Sequence, residues 1–379
     1  MNSIINLAAV PAVFDRELWS EVPFGFWTLV FFVFGCIVGS FLNVCIHRMP
    51  LDQSLISPPS HCPHCQYSIP WYLNVPLVTW LWLRGRCANC RAPISPRYFG
   101  VELLTGIAFC CTWIKWGHSS VGVSLALCLL LSGFIVATFI DFEHFIIPDE
   151  ITLGGIGAGC VMSMWVPQLH GETRLAMGLL QAVLGAAVGW GITYAVLRLG
   201  KLLFGKQKIK LDPDTEVTFS EGGVQIGEDE TAYEEIFYRP SDEIRLKAKR
   251  ARALGKTWED VDVRLSQSRL LIGPDTFDPE KVTELKVITD SLELPREAMG
   301  FGDVKFLGAI GAFLGWKGAV FGLMASSVVG ALVGLILILF RKHEWSSKIP
   351  YGPYIALAAT VWIFAGPELL QWWTRHLAP

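Results

Sequence analysis

Apolar residues in this chain fall into long unbroken runs, not into the alternating or helical stripes of a half-buried surface. Gly25 to Ile46 is almost continuously apolar, and seven further runs follow at 100–116, 121–140, 151–167, 175–199, 303–316, 318–340 and 352–373. A helix crosses a bilayer with about 20 apolar residues, so the pattern predicts a polytopic α-helical membrane protein with about eight transmembrane helices. The first run follows a mainly acidic segment (Asp15, Glu17 and Glu21 against Arg16) and lacks a basic flank. It therefore reads as the first span and not as a cleavable signal. The expected organisation is an outer N-terminal segment with the first helix over 1–46 and a polar loop over 47–99. Helices two to five follow over 100–200, a soluble insert over 201–298, and helices six to eight over 299–379.

Composition sharpens this picture. Of the 379 residues, 52% are hydrophobic and 17% charged, where a soluble chain is about a quarter charged. Residues 201–300 alone hold 16 of the 31 Lys and Arg and 21 of the 34 Asp and Glu. The net charge of −3 gives no basic surface for nucleic acid. Lys115, Arg174, Lys317 and Arg375 are sparse on one side of the spans. Lys201, Lys206, Lys208, Lys210, Arg341, Lys342 and Lys348 crowd the other, which places 47–99, 141–150, 200–302 and 341–351 in the cytoplasm.

Inside the insert, Glu216–Phe219 and Val224–Ile226 read as short strands. Ser241 to Leu254 reads as a basic amphipathic helix, capped by Ser241 with Asp242 and Glu243 in its first turn. Val261–Ile272 and Val282–Leu294 return to strand-like alternation. The insert is expected to be a small α+β module without catalytic residues, serving as an accessory or partner-binding domain.

The 47–99 loop contains Cys62-Pro63-His64-Cys65 and, after 21 intervening residues, Cys87-Ala88-Asn89-Cys90. Two CxxC pairs at this separation are the pattern of a four-cysteine zinc ribbon. The alternative, two disulfides, needs an oxidising compartment, which the arginines of this loop argue against. Four thiolates leave no open metal position, so the zinc is expected to be structural. The remaining cysteines (36, 45, 110, 111, 128 and 160) lie in apolar runs and read as buried small hydrophobes. No HExxH motif is present, which excludes a zinc metalloprotease of that kind.

Two acids stand apart from the rest. Asp303 follows Gly300-Phe301-Gly302 where a polar segment turns apolar, and Asp141 ends an uncharged, mainly apolar run at the end of the third span. Both fall at the cytoplasmic edge. Carboxylates that share a proton suit aspartic peptide hydrolysis, in which the ionised acid activates water and the protonated one polarises the carbonyl. The helix dipole makes Asp303, at an N-terminus, the expected base and Asp141, at a C-terminus, the expected acid. Asp149 follows Pro148 and reads as the N-cap of the fourth span; Glu143 and Glu150 are expected to reach solvent or headgroups. Glu102 reads equally as a buried functional acid or an interfacial one. Asn43 reads as packing or as an interhelical hydrogen-bonder. The rival class is a non-enzymatic assembly or transport protein with a zinc docking loop. An ion path, however, wants its acids near the bilayer midplane.

The ordered set Gly39-Ser40-Phe41-Leu42-Asn43-Val44, Arg48-Met49-Pro50, the two CxxC pairs, and Arg97-Tyr98-Phe99 with Val101-Glu102-Leu103 closely resembles the type 4 prepilin peptidases. So do Asp141 with Pro148-Asp149, Gly300-Phe301-Gly302-Asp303-Val304-Lys305 and Pro350-Tyr351-Gly352-Pro353-Tyr354. The resemblance covers nearly all of 24–373 except the insert. It implies a GxGD-type aspartic protease of the bacterial inner membrane. Such enzymes remove the leader of type IV prepilins and pseudopilins after a Gly at the cytoplasmic face, and many N-methylate the new terminus with S-adenosylmethionine. It further implies Asp141 and Asp303 as catalytic acids and Cys62, Cys65, Cys87 and Cys90 as zinc ligands. The insert, where most members have a short loop, is expected to meet a pilus or secretion assembly partner.

Overall fold

The computed structural model describes residues 19–220, 222–227, 229–237, 242–295, 299–340 and 349–376. The chain divides into a helical unit, made of residues up to Tyr194 and from Phe301 on, and a second unit, Ala195–Gly300. The helical unit contains α1 (Phe24–Arg48), α2 (Pro96–Trp116), α3 (Val121–His144), α4 (Asp149–Trp165), α5 (Leu175–Phe204, whose last turns belong to the second unit), α6 (Phe301–Leu339) and α7 (Gly352–His376).

All but α4 are long and apolar enough to cross a membrane. At 17 residues, α4 spans about 25 Å at 1.5 Å per residue. The two expected spans at 303–316 and 318–340 form one helical run that breaks at Gly315, where φ is 71° and ψ 175°. The run folds back there. A Cβ on Gly322 would lie 3.5 Å from the Leu307 side chain, whereas 15 residues of straight helix would separate the two by about 22 Å. The eight expected apolar spans are thus present as helices among the described residues, two of them as arms of this hairpin.

The helices pack through a shared apolar core. Phe134 of α3 meets Phe306 of α6 edge-on at 5.6 Å. Ile355, Ala359 and Ile363 of α7 and Ile310 and Phe313 of α6 complete the same cluster. Small residues let α1 approach α2 closely: Cβ atoms on Gly35 and Gly39 would fall 2.8 Å and 2.7 Å from the Cα atoms of Gly106 and Glu102. Asn43 donates to the Tyr98 carbonyl at 3.1 Å, the interhelical role considered for it. Of the six non-ribbon cysteines, Cys36, Cys45 and Cys128 are buried, Cys110 and Cys160 are partly buried, and Cys111 is exposed. The expectation that all six are buried fails at Cys111, on the outer face of α2.

The second unit is an eight-stranded antiparallel sheet: β1 (Lys206–Ser220), β2 (Gly223–Ile226), β3 (Asp229–Ala232), β4 (Glu243–Ala253), β5 (Lys256–Ser266), β6 (Arg269–Ile272), β7 (Asp275–Phe277) and β8 (Glu284–Pro295). Their order is β3-β2-β1-β8-β4-β5-β6-β7. One helical turn, Tyr233–Ile236, accompanies it. The helix expected over Ser241–Leu254 is instead β4. Ile244, Leu246 and Ala248 alternate with Arg245, Lys247 and Lys249, and this period of two buries one face only. Val217, Phe219, Ile244, Leu285 and Leu292 lie in the core beneath the sheet. The Ser241 cap and the Arg341–Lys348 loop lie outside the described residues.

Candidate active site and metal centre

Asp141 and Asp303 are both buried, at 5% and 8% exposure. Asp141 sits in the last turn of α3, three residues before it ends at His144. Its Oδ2 accepts a hydrogen bond of 2.8 Å from the backbone N–H of Gly352, the first residue of α7. The first amides of a helix have no partner within it, so α7 presents a donor that Asp141 takes up. A side chain is excluded at this point, since a Cβ on Gly352 would lie 2.8 Å from Asp141 Oδ2 and 3.0 Å from Ile147 Cδ1.

Ile147 connects the two acids. It is buried, and its Cβ lies 3.5 Å from where Gly302 would carry one. A single side chain therefore packs against both the glycine that binds Asp141 and the glycine that precedes Asp303. The acids reach the same end of the bundle from α3 and α6. Asp141 is thus at the C-terminus of one helix and the N-terminus of another, so the dipole contrast that separated an acid from a base does not separate these two.

Two ion pairs brace the surrounding turns. Lys305, two residues after Asp303, donates to Asp149 Oδ1 at 2.5 Å, and its Nζ lies 5.3 Å from the centre of the Phe301 ring. Arg97, in the first turn of α2, pairs with Glu143 beside Asp141. Asp149 is not an N-cap. Pro148, at φ −58° and ψ 148°, takes that position, and Asp149 is the first helical residue, which frees its carboxylate for Lys305. Glu102 is buried and accepts from the Leu77 amide at 2.8 Å.

The four loop cysteines converge, with all four sulfurs within 4.8 Å of one another. Cys62 Sγ lies 3.8 Å from Cys90 Sγ, and Cys65 Sγ lies 4.0 Å from Cys87 Sγ. These are not disulfide distances. A tetrahedral zinc with bonds of about 2.3 Å sets sulfurs about 3.8 Å apart, so the donor set fits that ion. Each CxxC is a knuckle of the same build. The amides of Cys62 and Cys87 reach the carbonyls of Tyr67 and Ala92, and Gln66 and Arg91 return to Cys62 and Cys87. Gln66 and Arg91, each just after the second cysteine, have φ of 58° and 61°. The Tyr67 amide holds the Cys65 thiol down at about 6, and the Cys90 and Asn89 amides lower Cys87. The Ala92 amide favours the Cys90 thiolate, but desolvation and the Cys65, Cys87 and Cys62 sulfurs outweigh it and push that thiol up to about 11. A bound dication relieves that crowding of thiolates.

Known proteins match this arrangement. The family model described as Bacterial Peptidase A24 N-terminal domain matches residues 33–116, and that described as Type IV leader peptidase family matches 128–211 and 288–335. The chain belongs to the type IV leader peptidase family. The matched segments of this family contain Asp141 and Asp303 and pass over most of the sheet unit. Family members named prepilin leader peptidase/N-methyltransferase include one from Aeromonas hydrophila, 30% identical over 95% of this chain and 98% of its own. Another, from Myxococcus xanthus, is 43% identical over 92% of this chain and 75% of its own. A third, from Pseudomonas aeruginosa, is 25% identical over 89% and 90%. No solved structure matches the chain.

Gly352, Ile147 and Lys305 were not singled out as site residues from sequence. The Gly352-Pro353 pair at the head of an apolar run was the available signal, since proline suits the first turn of a helix and glycine suits close approach.

Proposed function

We propose that this chain is a membrane aspartic endopeptidase, a prepilin leader peptidase/N-methyltransferase, in which Asp141 and Asp303 are the catalytic pair. The observation that carries the reading is their arrival at one end of the bundle around Ile147, with Gly352 bonded to Asp141. Two neighbouring buried carboxyls share a proton because like charges cannot both ionise. The ionised one takes a proton from water as it attacks the scissile carbonyl, and the protonated one donates to the carbonyl oxygen. The proton then passes to the leaving amine. The pair titrates as a unit, so neither acid has a fixed role.

The substrates are type IV prepilins and pseudopilins, cut after a glycine at the cytoplasmic face of the bacterial inner membrane. The Cys62, Cys65, Cys87 and Cys90 centre holds a structural zinc that folds the 47–99 loop. Methylation of the new terminus draws on S-adenosylmethionine. The cavity of about 520 Å³ in the sheet unit, lined by Phe219, Tyr233, Phe237, Leu265 and Leu270 among others, shows no acidic side chain among the described residues of its lining to take a ribose. The sheet unit serves as an accessory domain for an assembly partner. Incubating the purified protein with a prepilin and S-adenosylmethionine and weighing the mature N-terminus tests both activities, since cleavage and a methyl increment of about 14 Da are read separately. An unprocessed substrate contradicts the protease, and an unmethylated product contradicts the transferase.

A further inference from the structure

Between the two zinc knuckles the chain makes an excursion, residues 71–83, that neither the metal centre nor the acids use. Trp80 packs inward on Phe99, but most of the excursion's large apolar side chains point outward. Trp71 is 85% exposed and Trp82 75%, and Tyr72, Val75, Val78 and Leu81 are exposed with them. Large apolar side chains exposed in this number on one short segment point to a binding surface. What covers it follows from three observations.

The first is depth. Leu77, in the middle of the excursion, is held by the bond from its amide to Glu102. Glu102 lies six residues after Pro96, where α2 begins, or about 9 Å along the axis, and helix side chains lean back towards the N-terminus. The excursion is therefore fixed beside the first two turns of a membrane span. The second is the backbone. Pro76 and Val78 close a γ-turn of 2.6 Å over Leu77, the amides of Asn74, Thr79, Leu81 and Leu83 are bonded within the excursion, and that of Leu73 reaches the Pro70 carbonyl just before it. Satisfied amides are what an apolar environment demands. The third is charge. No Asp or Glu occurs from Gln53 to Val101, while Arg84 and Arg86 follow Trp82 and are exposed.

We propose that residues 71–83 are a membrane-surface seat that inserts Trp71, Tyr72, Val78, Leu81 and Trp82 into the bilayer interface, with Arg84 and Arg86 at the phosphate level. Trp and Tyr favour that zone because each has an apolar body and a polar tip, and amphipathic surface segments bury their apolar face about 5–10 Å deep. The seat holds the four-cysteine centre against the bilayer where α1 ends and α2 begins.

The test uses the full-length protein in nanodiscs of phosphatidylethanolamine and phosphatidylglycerol. The photo-crosslinker p-benzoylphenylalanine is placed singly at position 71, 82 or 64, the last in a knuckle and exposed in the structure. The expected result is lipid adducts by mass at 71 and 82, well above those at 64. Adducts to protein at 71 and 82, within the chain or to a second copy, or lipid adducts no more frequent than at 64, overturn the proposal. Should a labelled protein lose its metal, quenching by lipids brominated near the headgroup decides instead. The Trp71→Phe/Trp82→Phe double variant should lose quenchable emission relative to wild type, and an unchanged quenched signal also overturns it.

Discussion

The Gly352 amide donates to the Asp141 carboxylate at 2.8 Å across 211 residues of sequence. This bond ties the end of α3 to the start of α7 and fixes one carboxyl oxygen, which orients the other. Replacing Gly352 with Ala puts a methyl group 2.8 Å from Asp141 Oδ2 and 3.0 Å from Ile147 Cδ1, so the carboxylate must shift. Gly352→Ala is therefore expected to lower prepilin cleavage by about a hundredfold, the usual scale for a displaced reacting group, while zinc content and membrane insertion stay at wild-type levels. Initial rates on a co-purified prepilin check this, and wild-type rates would remove the bond from the account.

The Lys305–Asp149 pair makes a contrasting case. Asp149 is 58% exposed and Lys305 17%, and pairs in this setting contribute about 0–1 kcal/mol. Asp149→Asn should shift the thermal midpoint by a few degrees at most and leave cleavage within a few-fold of wild type. An inactive, well-folded Asp149→Asn protein would move Asp149 into the catalytic set.

Metal loss tests the knuckles. Cys87→Ser removes one of four converging sulfurs, and a structural zinc site rarely survives with three. Purified wild type should contain about one zinc per chain by elemental analysis, and the variant far less. Strong chelation should expose the 47–99 loop to protease. A chelated protein that resists digestion there would show that the loop folds without metal.

The sheet unit can be shortened cleanly. Lys210 pairs with Ser291, and the ladder continues outward to Lys206 and Pro295, so joining 210 to 291 by a short turn closes a hairpin across about 5 Å. A chain lacking 211–290 should still insert and still cleave a prepilin at a measurable rate. Complete loss of cleavage in a correctly inserted deletion would give the sheet unit a part in shaping the site.

The spans were legible because each apolar run is long, and the two acids because they stand at the ends of such runs. Chemistry carried by backbone was not. Gly352 acts through its amide, and nothing in its own neighbourhood points to Asp141. Ile147 looks like any apolar residue until the chain folds it between Gly302 and Gly352. The matching turns after Cys65 and Cys90 rest on positive φ at Gln66 and Arg91, residues that do not advertise it. At 241–254 the cap signature of Ser241, Asp242 and Glu243 and a basic amphipathic pattern point to a helix, whereas the alternation of Ile244, Leu246 and Ala248 is the better guide. The break at Gly315 fell where Lys317 already divided two apolar runs, and there pattern and structure agree.

The central claim is that Asp141 and Asp303 act together. The direct measurement is the cleavage rate of a purified prepilin by wild type, Asp141→Asn and Asp303→Asn in the same bilayer, each variant carrying its zinc. Both substitutions are near-isosteric and each removes one half of a shared-proton pair, so each should reduce cleavage to background. Substantial cleavage by either zinc-loaded variant would contradict the pairing.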